Sequence, residues 1–233
     1  MKKPNLVVLT GAGISAESGL ATFRGDGGLW EGHDIMEVAS IEGWHRNPGL
    51  VLDFYNMRRA AAAIAMPNAG HFSLAALELD FEVWIITQNV DDLHERAGST
   101  RVLHLHGQLN EMRSVKNENL VAPIVCDLRF GDLAPDGGQW RPNIVWFGEA
   151  VPYFEKAVNW VRNADFFAVI GTSLQVYPAA GLQYEAQAAK AKFLIDPNGI
   201  ELGIGGQWRI IPESASSGIE KMNTELMKLV NIH

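Results

Sequence analysis

Gln88, Asn89 and Asp91 set two amides and a carboxylate on one short stretch, and His106 follows just before a glycine. An amide pair suits a carboxamide ligand such as nicotinamide. Asp91 suits equally well the capping of a helix that starts there. An imidazole that titrates near neutrality can take a proton from a hydroxyl, although a lone histidine at a strand end can also be purely structural. Gly11-Ala12-Gly13-Ile14-Ser15 forms a Gly-x-Gly turn after an apolar run, and Gly171-Thr172-Ser173 closes another run. Such turns let backbone N–H groups and a helix start approach a pyrophosphate, or simply need glycine for a tight bend. Tyr55 and Arg58 share one face of a helix at i and i+3. A phenol and a guanidinium converging on a pocket make a carboxylate receptor, since Arg can fork onto both oxygens. The bland alternative is an interface tyrosine beside a solvated arginine.

These residues need elements to hold them. Short apolar runs at 5–10, 81–87, 102–106, 143–147, 166–170, 192–195 and 208–211 read as strands. Helices are expected at 14–19, from Asp91 to Gly98, and at 152–164, 178–191 and 217–231, with a mostly helical stretch over 34–80. Within that stretch Pro48 opens a helix in which Leu50, Phe54, Met57, Ala61 and Ile64 form one apolar stripe. Strands alternating with helices mean an α/β fold: a Rossmann-like parallel sheet with helices on both faces. Residues 110–142 differ, with short apolar pieces among Gly, Pro and Asp, and read as a small inserted module. The expected organisation is a main domain of 1–109 and 143–233, the 110–142 module, and a helical insertion over about 34–80. In open parallel sheets ligands bind outside the carboxyl ends of strands, where the polar clusters fall. A redox dinucleotide fold expects a second strand and an acidic ribose ligand about 20 residues past the glycines. Here glycine-rich loop and helices intervene until Phe81, so hydride transfer is disfavoured.

Composition narrows the class further. The 233 residues are 47% hydrophobic and 20% charged, ordinary globular usage. A net charge of −8 argues against direct nucleic-acid binding. No apolar run reaches membrane-spanning length and no signal-peptide core is present, so the expected location is cytoplasmic, with no membrane partner. A single cysteine, Cys126, excludes an internal disulfide and any multi-cysteine metal site.

Gly11-Ala-Gly-Ile-Ser-Ala-Glu-Ser-Gly19, Thr22-Phe-Arg-Gly25, Thr87-Gln-Asn-Val-Asp91, His104-Leu-His-Gly107, Val145-Trp-Phe-Gly-Glu149 and Gly171-Thr-Ser173 together resemble the ordered motif set of the sirtuins, NAD-dependent protein lysine deacylases. Among them the chain is most similar to the bacterial class III subgroup. The resemblance implies that His106 is the general base and that Asn89 and Asp91 hold the nicotinamide carboxamide and ribose. It implies ribose contact from Gln88 and a phosphate cradle from Gly11, Ala12, Gly13 and Ser15. Phe23 would shield the reactive ribose carbon and Arg24 would contact the phosphates. Gly171, Thr172 and Ser173 would serve the adenosine side. Asp196 stands where the family usually has asparagine; a carboxylate accepts but cannot donate. Ala215 would offer its backbone near adenine.

The same resemblance makes Tyr55 and Arg58 the class III signature for succinyl- and malonyl-lysine, with Ala39 widening the acyl pocket. Val145, Phe147, Gly148 and Glu149 would form an edge onto which the substrate peptide adds as a strand. One feature departs from the family. Sirtuins usually carry four cysteines in the small module, and here that region holds Cys126 alone, with Arg113-Ser114 where the first pair would begin. No zinc is expected, since Ser114, Asp127, Asp132 and Asp136 make no tetrahedral set. Packing by Val115, Leu120, Val121, Ile124, Val125, Leu128 and Phe130, or a partner subunit, would replace it, with Cys126 a small buried hydrophobe. The implied function is an NAD-consuming protein-lysine deacylase acting on acetyl and acidic acyl groups and releasing nicotinamide and O-acyl-ADP-ribose. The alternatives are a mono-ADP-ribosyltransferase or NAD hydrolase, and a non-catalytic NAD or ADP-ribose binding module.

Overall fold

The computed structural model describes residues 2–22, 29–199 and 206–230. The chain starts with β1 (Asn5–Thr10) and a short helix α1 (Gly13–Ala16). A small hairpin follows, β2 (Leu29–Trp30) and β3 (His33–Asp34). Helices α2 (Ile35–Val38), α3 (Ile41–Arg46), α4 (Pro48–Ile64) and α5 (Ala69–Ala76) come next, then β4 (Glu82–Thr87) and α6 (Leu93–Arg96). After β5 (Val102–His104), the strands β6 (Gly107–Ser114), β7 (Val121–Pro123) and β8 (Trp140–Ile144) form a separate antiparallel sheet. The chain closes with α7 (Phe154–Arg162), β9 (Phe166–Ile170), β10 (Ala191–Ile195), β11 (Trp208–Ile211) and α8 (Ala215–Val230).

The large sheet runs in the order β11-β10-β9-β1-β4-β5, and every pairing is parallel. Period-two alternation splits its apolar residues between two layers. Leu6, Val8, Ile85, Phe166 and Phe193 pack against Leu74 of α5 and Ile219, Met222 and Leu226 of α8. Val7, Leu9, Ile86, Phe167 and Leu194 pack against Ala157, Val158 and Val161 of α7. The Rossmann-like α/β sheet expected from the sequence is therefore present.

A third cluster binds the helical stretch to the antiparallel sheet. Trp44, Val51, Leu52, Phe54 and Tyr55 pack on Leu109, Leu128, Ile144 and Trp146. Local chemistry fixes α4, whose N-cap Asn47 accepts from the Leu50 N–H and whose first position is Pro48. Its buried face differs from the expected stripe. Val51, Leu52, Phe54, Tyr55, Arg58 and Ala62 are buried, while Met57 and Ile64 are exposed. The real face carries a phenol and a guanidinium, which an apolar count passes over.

Other expectations need correction. The run 143–147 does not join the parallel sheet: β8 pairs antiparallel with β6, and only a bridge from Phe147 to Ser40 continues it. The stretch 178–191 forms a 3-10 helix over Ala179–Tyr184 and then turns. Docking of Ala179, Leu182 and Ala186 on the sheet overrides the propensity of its alanines. Of the apolar residues expected to pack the small module, Leu128 is buried and Leu120 and Ile124 partly so; Val115, Val121, Val125 and Phe130 are exposed, as is Cys126. Polar bonds tie this segment instead. The Ser114 hydroxyl donates to the Asp136 carboxylate at 2.8 Å and accepts from the Lys116 N–H, while Asp136 also accepts from the Gly138 N–H. Among the described residues, no group of His, Cys, Asp or Glu side chains is placed to hold a metal ion. Nor, among them, is any single helix long and apolar enough to cross a membrane.

Candidate active site

The strand order reverses at β1, whose neighbours β9 and β4 lie on opposite sides. The loops after β1 and β9 meet there at backbone contact. The Gly11 N–H donates to Ile170 O and the Gly13 N–H to Gly171 O. A Cβ on Gly11 would come within 2.6 Å of the Thr172 side chain, and one on Gly13 within 2.7 Å of the Gly171 Cα. Gly171 itself has φ +62. The glycines thus permit two loops to close on each other, leaving a floor of bare backbone.

That floor opens into a cavity of about 730 Å³. Its walls include Gly11, Ala12, Gly13, Ser15, Gln88, Asn89, Asp91 and His106, with Gly171, Thr172, Ser173 and Asp196. The opposite side is lined by Ala39, Tyr55, Arg58, Val145, Phe147, Gly148 and Glu149. Ala215 does not line it; this residue is buried at the start of α8. Phe23 and Arg24 lie outside the described residues.

Ser15, Asn89 and Asp91 form one buried hub. Asn89 Nδ2 donates to Gly11 O and to Ser15 Oγ, both at 3.1 Å, and Ser15 Oγ donates to Asp91 Oδ2 at 3.1 Å. Asp91 also accepts from the Leu93 N–H, so it caps the turn into α6 as well as lining the cavity. Burial raises its carboxyl above the usual range, against the pull of the Leu93 and Ser15 bonds. Gln88 Nε2 donates to Thr172 Oγ1 at 3.1 Å, joining the ends of β4 and β9.

His106 Nδ1 lies 3.1 Å from Gln88 O. A carbonyl only accepts, so Nδ1 carries the proton and Nε2 keeps a lone pair. Burial lowers the imidazole below its ordinary value despite the Gln88 bond, so the ring is neutral at neutral pH.

His104 was not singled out from the sequence, yet it braces the hub. Its Nδ1 is 3.1 Å from Asn89 O and its Nε2 is 2.8 Å from Glu95 Oε1. Both partners accept, so His104 donates twice and is an imidazolium. Burial opposes that charge, and the Glu95 carboxylate overcomes it to raise the group. The signal was available: His104 and His106 stand at i and i+2, one strand face apart from their neighbours.

The other side holds ions in pairs. Tyr55 Oη accepts from Trp146 Nε1 at 3.0 Å, and burial pushes its phenol far above the ordinary value, so it stays neutral. Arg58 Nη1 donates to Glu31 Oε1 at 2.8 Å. Glu149 takes Arg141 at 2.6 and 3.0 Å, Arg113 at 3.0 Å and the Trp146 N–H at 2.9 Å. Burial would raise its carboxyl, but Arg141 holds it below the usual range. Glu149 is thereby a clasp on the 144–149 turn. The N–H groups of Val145, Trp146, Phe147 and Glu149 in this turn are bonded within the chain.

Open parallel sheets bind ligands where the strand order reverses, and here that point is the glycine floor between β1 and β9. This geometry defines a dinucleotide-binding α/β protein with a proton acceptor beside its crevice. The chain belongs to the Sir2 family, which its residues 11–178 match. It is 53% identical over 227 residues to an NAD-dependent protein deacylase of Helicobacter pylori (strain ATCC 700392 / 26695), covering 97% of this chain and 99% of that one. It is 48% identical to an NAD-dependent protein deacylase of Bacteroides thetaiotaomicron, covering 96% and 98%. A solved Sir2 homologue–NAD complex superposes with a TM-score of 0.85 at 35% identity, covering 97% of this chain and 91% of that chain. The activity is that of an NAD-dependent protein deacylase, with NAD as cofactor.

Proposed function

We propose that the cavity takes NAD on the glycine floor and an acyl-lysine from the side of α4, and that it accepts succinyl- and malonyl-lysine as well as acetyl-lysine. The observation that carries this reading is that Tyr55 and Arg58 line the same cavity as Asn89 and His106. NAD supplies an electrophilic ribose carbon once bound. The bare backbone of Gly11, Gly13 and Gly171 suits its pyrophosphate, because any side chain there would collide. The hub of Ser15, Asn89 and Asp91 suits a carboxamide and ribose hydroxyls, with Gln88 nearby. Asp196, raised by burial, and Ser173 and Thr172 suit the adenosine end. Phe23 and Arg24 keep the shielding and phosphate roles that the family implies.

His106 is the base. Its Nε2 would take the ribose hydroxyl proton after the acyl oxygen has replaced nicotinamide on the ribose carbon, while the Nδ1 proton stays on Nδ1 and is donated to Gln88 O. Tyr55 keeps its own proton, since its oxygen only accepts from Trp146. Its O–H can donate a hydrogen bond to an acyl carboxylate, and Arg58 supplies the charge. Ala39 leaves width for the longer chain. With one water consumed, the products are free lysine, nicotinamide and O-acyl-ADP-ribose.

The test is mass spectrometry on acetyl-, succinyl- and malonyl-lysine peptides of one sequence, with and without NAD. NAD-dependent loss of the acidic acyl groups is expected. Acetyl removal alone would overturn the acidic-acyl reading. Transfer of ADP-ribose to the peptide with the acyl group retained would favour the transferase alternative.

A further inference from the structure

The guanidinium of Arg58 is already held by a carboxylate of its own chain. Arg58 is buried, and Glu31 meets its Nη1 at 2.8 Å with a side chain one-third exposed. Arg58 Nε is buried and has no hydrogen-bond partner. The guanidinium also stands 4.9 Å from the Trp30 ring centroid. Removing Glu31 from a buried cation with nothing in its place leaves a bare charge, which is strongly unfavourable. An empty pocket therefore needs a carboxylate here, and so does a pocket holding a short neutral acyl group.

The backbone under Glu31 makes the choice of residue informative. Trp30 and His33 pair across the hairpin, so Glu31 and Gly32 are its two loop residues. Their φ values are +51 and +82. Both-positive φ is the signature of a type I′ turn, where Asn-Gly is the favoured pair. Glutamate pays a steric cost at its first position that asparagine largely avoids. Asparagine is too short to reach Arg58; glutamate reaches it across the sequence from 31 to 58. Its exposure gives the carboxylate water to move into.

We propose that Glu31 is an internal carboxylate that holds Arg58 while no acidic acyl chain is bound, and that the carboxylate of a succinyl- or malonyl-lysine displaces it. Two carboxylates on one guanidinium repel, so the incoming one must release Glu31. Affinity for acidic acyl groups is then a difference between two ion pairs, and Glu31 sets its size. Acetyl-lysine brings no carboxylate and leaves the pair in place. This inference rests on the acidic-acyl reading of the pocket.

The experiment compares kcat/KM on succinyl- and acetyl-lysine peptides for the wild type, Glu31→Gln, Glu31→Asn and Arg58→Met. Glu31→Asn guards against misfolding, since it suits the turn. Both Glu31 variants are expected to raise the succinyl-to-acetyl ratio about fivefold, the scale of a part-exposed ion pair, mainly through the succinyl KM. A ratio that stays level or falls, while Arg58→Met loses succinyl activity selectively, overturns the Glu31 proposal and leaves the pocket reading standing. Equal losses of both activities in Arg58→Met overturn the pocket reading and this proposal with it.

Discussion

The two sides of the cavity solve burial in opposite ways. On the parallel-sheet side Thr10, Ser15, Asn89, Asp91 and His94 are buried; Ser15, Asn89 and Asp91 bond to one another and Thr10 to His94, and charge enters beside them through His104 with Glu95. On the α4 side the buried groups are cations held by carboxylates: Arg58 by Glu31, Arg141 and Arg113 by Glu149. The first side meets the same dinucleotide at every turnover, so its donors and acceptors can be fixed in advance. In the function proposed above, the second meets acyl groups of differing charge, where ion pairs can exchange partners; preorganisation then goes with the constant substrate and exchangeable charge with the variable one.

The sharpest test on the neutral side is His106→Ala. Loss of the base is expected to lower kcat by about 10²–10⁴-fold. Steady-state kinetics with an acetyl-lysine peptide would check it, and near-wild-type turnover would remove His106 from the role. Because burial lowers this imidazole, the acid limb of the kcat/KM profile should lie below pH 6.5.

The neutral side should also make folding acid-sensitive. His71 and His94 stack edge to face with centroids 5.0 Å apart, and both are buried. Burial lowers His71 from 6.5 to about 4 and lowers His94 in the same direction. A histidine depressed in the folded state stays neutral there while the unfolded chain binds a proton. Stability is thus lost as pH falls from 6.5 towards 4, by up to about 1.4 kcal/mol per pH unit for His71 alone. The raised His104 acts in the opposite sense, its contribution fading as pH rises. Urea unfolding at pH 7 and pH 5 should show the loss, and His71→Gln should shrink it. An unchanged pH slope would mean that the pair is not held neutral.

On the ionic side, Arg58→Met should cut desuccinylation about 10–100-fold more than deacetylation, the range of a hydrogen bond to a charged group. Peptide kinetics would decide it. Equal losses would place Arg58 in the scaffold rather than against the acyl chain.

The sequence exposed the neutral side far better than the ionic one. Glycines and short polar residues at strand ends carry their reason in their type: a Cβ does not fit at Gly11, and an amide or imidazole in the core must have a partner. The parallel sheet was equally legible, because its strands are apolar on both faces. The buried face of α4 was not, since Tyr55 and Arg58 occupy it while Met57 and Ile64 face outward. Ion pairs such as Arg58 with Glu31 join residues far apart in sequence, and no local pattern announces them. The hairpin turn at Glu31 offered only a Glu-Gly dipeptide, which does not specify positive φ as Asn-Gly does.

The small antiparallel sheet extends the same contrast to stability. Its region has few buried apolar residues, since Val125 and Phe130 are exposed, and it leans on Ser114 with Asp136 and on Arg59 with Asp127. The Ser114 hydroxyl is buried and joins the end of β6 to the turn at 136–138 through Asp136 and the Lys116 N–H. Ser114→Ala leaves the Lys116 N–H without that acceptor and frees the turn. The expected result is a fall in Tm of about 3 °C, the scale of one hydrogen bond in a chain of this length. A chelator should leave the Tm where it was, because a network of hydrogen bonds, unlike a metal clamp, has nothing to extract. If the chelator lowers the Tm and Ser114→Ala does not, the sheet is held by a metal and the contrast between the two sides ends at the cavity.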